Sequence, residues 1–286
     1  MTIHPDSVAI FGPGLMGASL LMALRARFPG VRLGAWARRR EPLEELARRG
    51  LVDFQSTNAD EVAAMTSLAV LCLPVERLHE VAWLVAPALP RDAVATDVGS
   101  VKRSVVEDLE ECFAGGRFVG SHPMCGSEAS GLAAARPDLY EGAVCVVTPT
   151  PRSSPDAVAR VSSLWQMAGA RTVEMDPARH DRAAATASHV PHVAAALLVE
   201  LVADGAPDAP LLCAGGFRDT TRVAAGAADL WTGILAANRD EVARALGLAA
   251  DRLHELRSRL EAGDLPAIRE FFVGAAQHRA EILSGN

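Results

Sequence analysis

Four short polar islands stand in an otherwise apolar chain, and their residue types are those of proton transfer and anion binding. Asp97-Val98-Gly99-Ser100-Val101-Lys102 and Gly120-Ser121-His122-Pro123-Met124-Cys125-Gly126-Ser127-Glu128 each follow an apolar run. Ser188-His189-Val190-Pro191-His192 sets two imidazoles one helical turn apart. Gly215-Gly216-Phe217-Arg218-Asp219-Thr220-Thr221-Arg222 sets Asp219 and Arg222 at i, i+3 behind a glycine pair. Imidazole titrates near neutrality, and guanidinium is a permanent cation shaped to grip a carboxylate with two prongs. Each island alone is weak, because a single histidine is more often structural and an Asp–Arg pair at that spacing is usually a surface ion pair. Together they form a constellation.

A fifth island is more explicit. Gly12-Pro13-Gly14-Leu15-Met16-Gly17 matches G-x-G-x-x-G, preceded by the apolar run 8–11 and followed by Leu20, Leu21 and Leu24 at helical spacing. Strand, tight turn and helix are the context in which this pattern binds a dinucleotide. Gly12 allows the turn, Gly14 the approach of a pyrophosphate, and Gly17 close helix-to-strand packing. Leu15 and Met16 offer free N–H groups at the helix start, where an anion is favoured. The second strand, 31–36, ends without the acid that usually receives the ribose 2′-hydroxyl and runs into Arg38-Arg39-Arg40. A 2′-phosphate suits Arg38 and Arg39, so NADP is favoured, with NAD possible. A solvated basic loop is the alternative.

These islands need a frame. Apolar runs at 8–11, 31–36, 68–73, 93–96, 117–120, 143–148 and 172–175 alternate with helix-like segments, which predicts a parallel sheet covered on both faces. After about residue 176 only helical patterns remain. The expected class is therefore α/β, with a Rossmann-type dinucleotide-binding domain over 1–175 and an all-α domain over 176–286. Within the latter, Val242, Leu246, Ala249, Leu253, Leu256 and Leu260 form a 4-3-4-3-4 stripe suited either to packing inside the domain or to a homodimer interface. Pro191 is expected to free the carbonyl of Ala187 and kink its helix.

With 286 residues, half of them apolar, the chain can bury a sizeable core, and a net charge of −7 argues against a nucleic-acid partner. Five cysteines without C-x-x-C spacing fit free thiols of a reducing compartment and disfavour a disulfide scaffold or zinc site, so no metal is expected. The uncharged stretch 7–24 is interrupted by glycines and a proline and lacks a basic leader, so a cytoplasmic chain that crosses no membrane is expected.

Through GPGLMG, DVGSVK, GSHPMCGSEASG, SHVPH and GFRDTTRVAAGAADLWTGILAANRD, the chain resembles the prephenate/arogenate dehydrogenase family of tyrosine biosynthesis over about residues 7–280. The resemblance implies a Rossmann domain joined to a helical dimerisation domain, with the active site in the cleft between them. It implies NAD(P)-dependent oxidative decarboxylation of a cyclohexadienol, prephenate or arogenate. His122 would be the base on the ring hydroxyl. Ser100, counted with both catalytic and cofactor-binding residues, would bond near that hydroxyl or orient His122. Arg222 would clamp a substrate carboxylate. His189 and His192 would line the substrate side, a structural role for His192 standing beside this, and Glu128 and Asp219 would form a charged network. Trp231 and Asn238 match the family pattern without a separable role. On that resemblance, neither a chorismate mutase nor a regulatory domain is expected within the span.

Three other readings compete. The β-hydroxyacid dehydrogenases share the general layout but use a lysine after the Rossmann domain, and this chain has none beyond Lys102. A dehydrogenase of 4-amino-4-deoxyprephenate would present the same cleft. A non-catalytic dinucleotide sensor is opposed by the intact His122, Ser100 and Arg222.

Overall fold

The structure, a computed structural model, describes residues 5–126 and 129–284. By its own contacts the chain divides into two compact units, residues 1–239 and 240–286. The first opens with β1 (Ser7–Phe11), α1 (Leu15–Arg27), β2 (Arg32–Trp36), α2 (Arg40–Arg48), β3 (Phe54–Ser56), α3 (Ala59–Ala63), β4 (Leu68–Leu71), α4 (Val75–Val85) and β5 (Val94–Asp97). The strands form an all-parallel sheet in the order β3-β2-β1-β4-β5, the doubly wound arrangement predicted from the alternating pattern.

Why these strands read as unbroken apolar runs is visible in the core. Val8 and Ile10 of β1 enter one cluster, with Leu20, Leu21 and Leu24 of α1. Ala9 and Phe11 enter a second, on the opposite face, with Leu78 and Val81 of α4. A strand buried on both sides needs apolar side chains at every position rather than at alternate ones. β3 has no such signature in the sequence, because its three residues are only partly buried or exposed and carry no apolar run.

The expected extension of the parallel sheet is corrected. α5 (Arg103–Cys112) leads to β6 (Gly120–Pro123), then β7 (Val144–Thr148), α6 (Pro155–Met167) and β8 (Arg171–Glu174). These strands make a second sheet in the order β6-β7-β8, with β6 antiparallel to β7. It meets β5 through a bridge from Ala95 to Phe118. An apolar run announces burial but not strand direction, which is set by the path on which the chain returns after β6.

Strands end at Glu174, close to the composition shift near 175, whereas the contact boundary falls later. α7 (Pro177–Ala184), α8 (Val190–Ala203), α9 (Gly215–Thr221) and α10 (Ala228–Ala237) all lie in the first unit. Between α7 and α8, residues Ala185–His189 form a π-helical turn in which Val190 N–H reaches back to Ala185 O. The widened turn lies immediately before Pro191, which has no N–H to give to Ala187. The predicted disturbance thus takes the form of one inserted residue that rotates the remainder of the helix. The continuous helix Pro177–Ala203 is long and apolar enough to cross a membrane by length and composition. Its first half carries the buried polar residues His180, Asp181 and His189, while Leu197 and Leu201 in its second half are exposed.

The second unit consists of α11 (Arg239–Glu261) and α12 (Leu265–Ser284). Along the α11 stripe Val242 is buried, but Leu253 and Leu260 are 62% and 58% exposed. On α12, Phe272 and Ile282 are likewise exposed.

Candidate active site

The carboxyl ends of β1, β4 and β5 and the residues after β6 border a cavity of ≈ 510 Å³ in the first unit, closed on its far side by residues of the α7–α10 segment. A parallel sheet opens toward ligands at this edge, where consecutive crossovers diverge to opposite faces.

On the sheet side the fingerprint glycines do what the motif requires. Gly12 has φ +98°, and a Cβ there would lie 2.6 Å from Cys72 O; at Gly17 it would lie 2.5 Å from Ile10 Cγ2. Gly14 faces open space, and α1 begins on it with no capping side chain and no acid in its first turn. The N–H groups at the start of this 13-residue helix are therefore left for an anion, which is the fit a dinucleotide pyrophosphate needs. Leu15 and Met16 line the cavity beside Gly14. Arg38 and Arg39 are exposed at the end of β2, Arg39 as the N-cap residue of α2, and Ala37 is buried where an acid would often stand.

His122 lies on β6, buried, and borders the cavity. Its strand is held by a fully buried ion pair, Asp97 with Lys102. Lys102 Nζ also donates to Ser121 O at 2.9 Å, Asp97 Oδ1 accepts from Ser121 N–H at 3.1 Å, and Ser121 Oγ donates to Asp97 O at 2.6 Å. Asp97 Oδ2 further accepts from Gly99 N–H at 2.7 Å, fixing the turn that presents Ser100 to the cavity. The charged ends of DVGSVK are thus an internal brace.

Behind His122 stand two residues that carry no motif in the sequence. His122 Nδ1 is 2.8 Å from His180 Nε2, and His180 Nδ1 is 2.8 Å from Asp181 Oδ1. Asp181 also accepts from the N–H groups of Lys102 (2.7 Å) and Arg103 (2.9 Å). The orienting contact to the His122 ring comes from His180; no hydrogen bond joins Ser100 to His122 among the described residues. The one signal in the sequence is an adjacent His-Asp pair near the start of α7, 58 residues from its partner.

Burial, reinforced by the neighbouring His180, Lys102 and His189, holds the His122 imidazole well below the usual histidine range, and it is therefore neutral. His189 is pushed down to about 4, again chiefly by burial and against the pull of Asp181. Cys125 borders the same cavity, but burial pushes its thiol up to about 12, so it is no nucleophile at neutral pH.

The two histidines expected together on one face both lie against Trp231, but only one of them borders the cavity. His192 lines the cavity with its ring stacked on Trp231 at 3.7 Å between centroids, and its Nδ1 bonds Ser188 O at 3.0 Å. His189 is fully buried and does not border the cavity; its Nδ1 lies 3.3 Å from Asn238 Nδ2, which also donates to Asp181 O at 2.9 Å. Trp231 is thereby a wall of the cavity and Asn238 a strut behind it. Arg222 borders the cavity, whereas Asp219 on α9 is exposed and does not. Glu128 lies outside the described residues. Among those described, no group of three or more His, Cys, Asp or Glu side chains could hold a metal.

The residues so assembled offer a dinucleotide cradle, a buried neutral imidazole and an arginine around one cavity. Residues 21–174 match the domain family described as prephenate dehydrogenase, nucleotide-binding domain, and 176–273 match prephenate dehydrogenase, dimerization domain. A prephenate dehydrogenase of Bacillus subtilis is 30% identical over 279 residues, covering 96% of this chain and 75% of that protein. A cyclohexadienyl dehydrogenase of Zymomonas mobilis is 31% identical over 269 residues, with 93% and 92% coverage. The crystal structure of Aquifex aeolicus prephenate dehydrogenase with hydroxyphenyl propionate and NAD+ superposes with a TM-score of 0.90 at 29% identity, covering 97% and 98%.

Replacing Lys102 by Met leaves the Asp97 carboxylate buried without its counter-charge. The expected loss is about 3–5 kcal/mol of stability, read from the denaturant midpoint. A loss below about 1 kcal/mol would mean the pair is not holding the strand.

Proposed function

The chain belongs to the prephenate dehydrogenase family, and we propose that it oxidises and decarboxylates prephenate or arogenate in the cavity described, giving 4-hydroxyphenylpyruvate or tyrosine. The observation that carries this reading is the placement of His122: a neutral imidazole, buried, at the mouth of a dinucleotide fold. Bound there, a nicotinamide supplies the hydride acceptor. The chain's own residues do the rest. The start of α1, with Gly14, Leu15 and Met16, holds the pyrophosphate. His122 accepts the proton of the ring hydroxyl as the ring carboxylate departs as CO2 and the ring becomes aromatic. Arg222 binds a carboxylate, because a dianionic substrate in a chain of net charge −7 needs a fixed cation. Trp231, backed by His192, supplies an apolar wall that keeps water from the reacting ring, and Ser100 lines the same cavity. We place the functional division near residue 175, with the cofactor residues, His122 and Ser100 before it and Arg222, His192 and Trp231 after it.

For the cofactor we favour NADP, on the exposed Arg38 and Arg39 and the buried Ala37. For assembly we favour a homodimer through the helical domain, because the apolar side chains exposed on α8, α11 and α12 are more than a lone chain usually leaves in water. The five cysteines, all free, support a reducing compartment.

Steady-state kinetics with prephenate and arogenate, each with NAD and NADP, test the reaction; the absence of turnover with all four pairs overturns it. NADP should give the higher kcat/KM, and Arg38→Ala should lower that value by roughly 10 to 100-fold, the scale of one charge-assisted contact. Equal or better use of NAD removes the assignment.

His122→Asn should lower kcat by about 10² to 10⁴ while leaving cofactor affinity nearly intact. Because the imidazole is held neutral, it remains able to accept a proton as pH falls through the ordinary histidine range. The acidic limb of kcat/KM, which reports the free enzyme, is therefore expected below pH 6.5, the ordinary histidine value. A limb at or above that value contradicts the burial argument.

Light scattering should show a dimer at micromolar concentration, and replacing both Leu253 and Leu256 by Asp should shift it toward monomer. A monomeric parent chain refutes the interface.

A further inference from the structure

We propose that His180 and Asp181 are positioning residues that set the tautomer of His122, so that the ring nitrogen facing the cavity is the one without a proton. This inference rests on the reading of His122 as the base.

An ionised carboxylate only accepts hydrogen bonds. Asp181 receives three N–H groups, from the backbone of Lys102, the backbone of Arg103 and the ring of His180. The His180 proton is therefore on Nδ1, and in a neutral ring that makes Nε2 an acceptor. His180 Nε2 lies 2.8 Å from His122 Nδ1, so His122 must carry its proton on Nδ1. The His122 Nε2 atom, outside this chain of bonds, is left with a free lone pair on a ring that borders the cavity. Three side chains, each at most 7% exposed, thus transmit one instruction from the N-terminus of α5 to the reacting edge of the imidazole.

The same chain of bonds serves when the proton arrives. With a proton on Nε2, the His122 cation faces an acceptor at Nδ1, and the bond to His180 becomes charge-assisted. The nearest anion along the chain is Asp181, one ring away. Carboxylate, imidazole and reacting atom are arranged in the familiar hydrolytic triads so that the carboxylate orients the base and steadies its cation. Here a second imidazole is interposed, which moves the carboxylate a ring's width from the cavity, away from a substrate that is itself an anion.

Nitrogen-15 spectra of histidine-labelled chain test the tautomer directly, without substrate. His122 should show a protonated Nδ1 and an unprotonated Nε2 at neutral pH; a protonated Nε2 overturns the proposal, whatever the enzyme turns over. The second arm uses kcat. His180→Leu removes the acceptor and should lower kcat roughly 10²-fold, at the low end of a positioned base's contribution, with KM and dinucleotide affinity within about twofold. His180→Gln keeps a carbonyl oxygen near the Nε2 position and should recover most of that loss. Unchanged kcat in His180→Leu, or equal loss in both variants, would reduce His180 to packing. Failure of the parent chain to oxidise prephenate or arogenate would count against the proposed reaction, and the spectra would still decide the tautomer.

Discussion

A buried carboxylate paired with a buried ammonium, Asp97 with Lys102, is the interaction on which the active-site side of the fold depends. Both side chains are completely shielded from water, and taking such charges out of water is costly unless every remaining polar atom is matched. Here the backbone of Ser121 meets both partners, through its N–H and its carbonyl, and Gly99 meets the carboxylate. The pair therefore joins the end of β5, the turn after it and β6 at one point. His122 and Ser100, which border the cavity on this side, are each next to a residue of that joint.

The joint continues into the helical segment. Lys102 and Arg103 present their N–H groups, at the start of α5, to Asp181 of α7, and Asp181 in turn holds His180 against His122. Asn238, just past α10, closes the circuit on the backbone of Asp181. Polar networks in a low-dielectric interior are worth having only when fully satisfied, because each unmatched member loses its hydration for nothing. That requirement fits the burial of Asp97, Lys102 and Ser121, polar residues of these motifs that brace the strand and do not border the cavity.

Burial also sorts the reactive groups. The same shielding that keeps the His122 imidazole neutral pushes the Cys125 thiol away from reactivity, so one cavity is bordered by an uncharged imidazole and an inert sulfur. Both shifts disfavour the charged form, and their opposite directions arise from the opposite charges of imidazolium and thiolate.

The sequence by itself determined the parallel sheet, the dinucleotide turn and the identity of His122, Ser100 and Arg222 as residues worth testing. Those features are local: an apolar run, a glycine spacing or a polar island is complete within one short segment, and its physical demand can be met in only a few ways. Only the tertiary structure decided which of them meet. His189 and His192 share one helical stripe and both rings lie against Trp231, yet His189 is buried away from the cavity while His192 lines it. Asp219 and Arg222 share a spacing without sharing a cavity. β6 is antiparallel to β7 because strand direction depends on the return path of the chain, to which side-chain polarity is blind. His180 and Asp181 show in the sequence only as an adjacent His-Asp pair, since a contact with His122, 58 residues from His180, is defined by a distance in space and by nothing nearby in the chain.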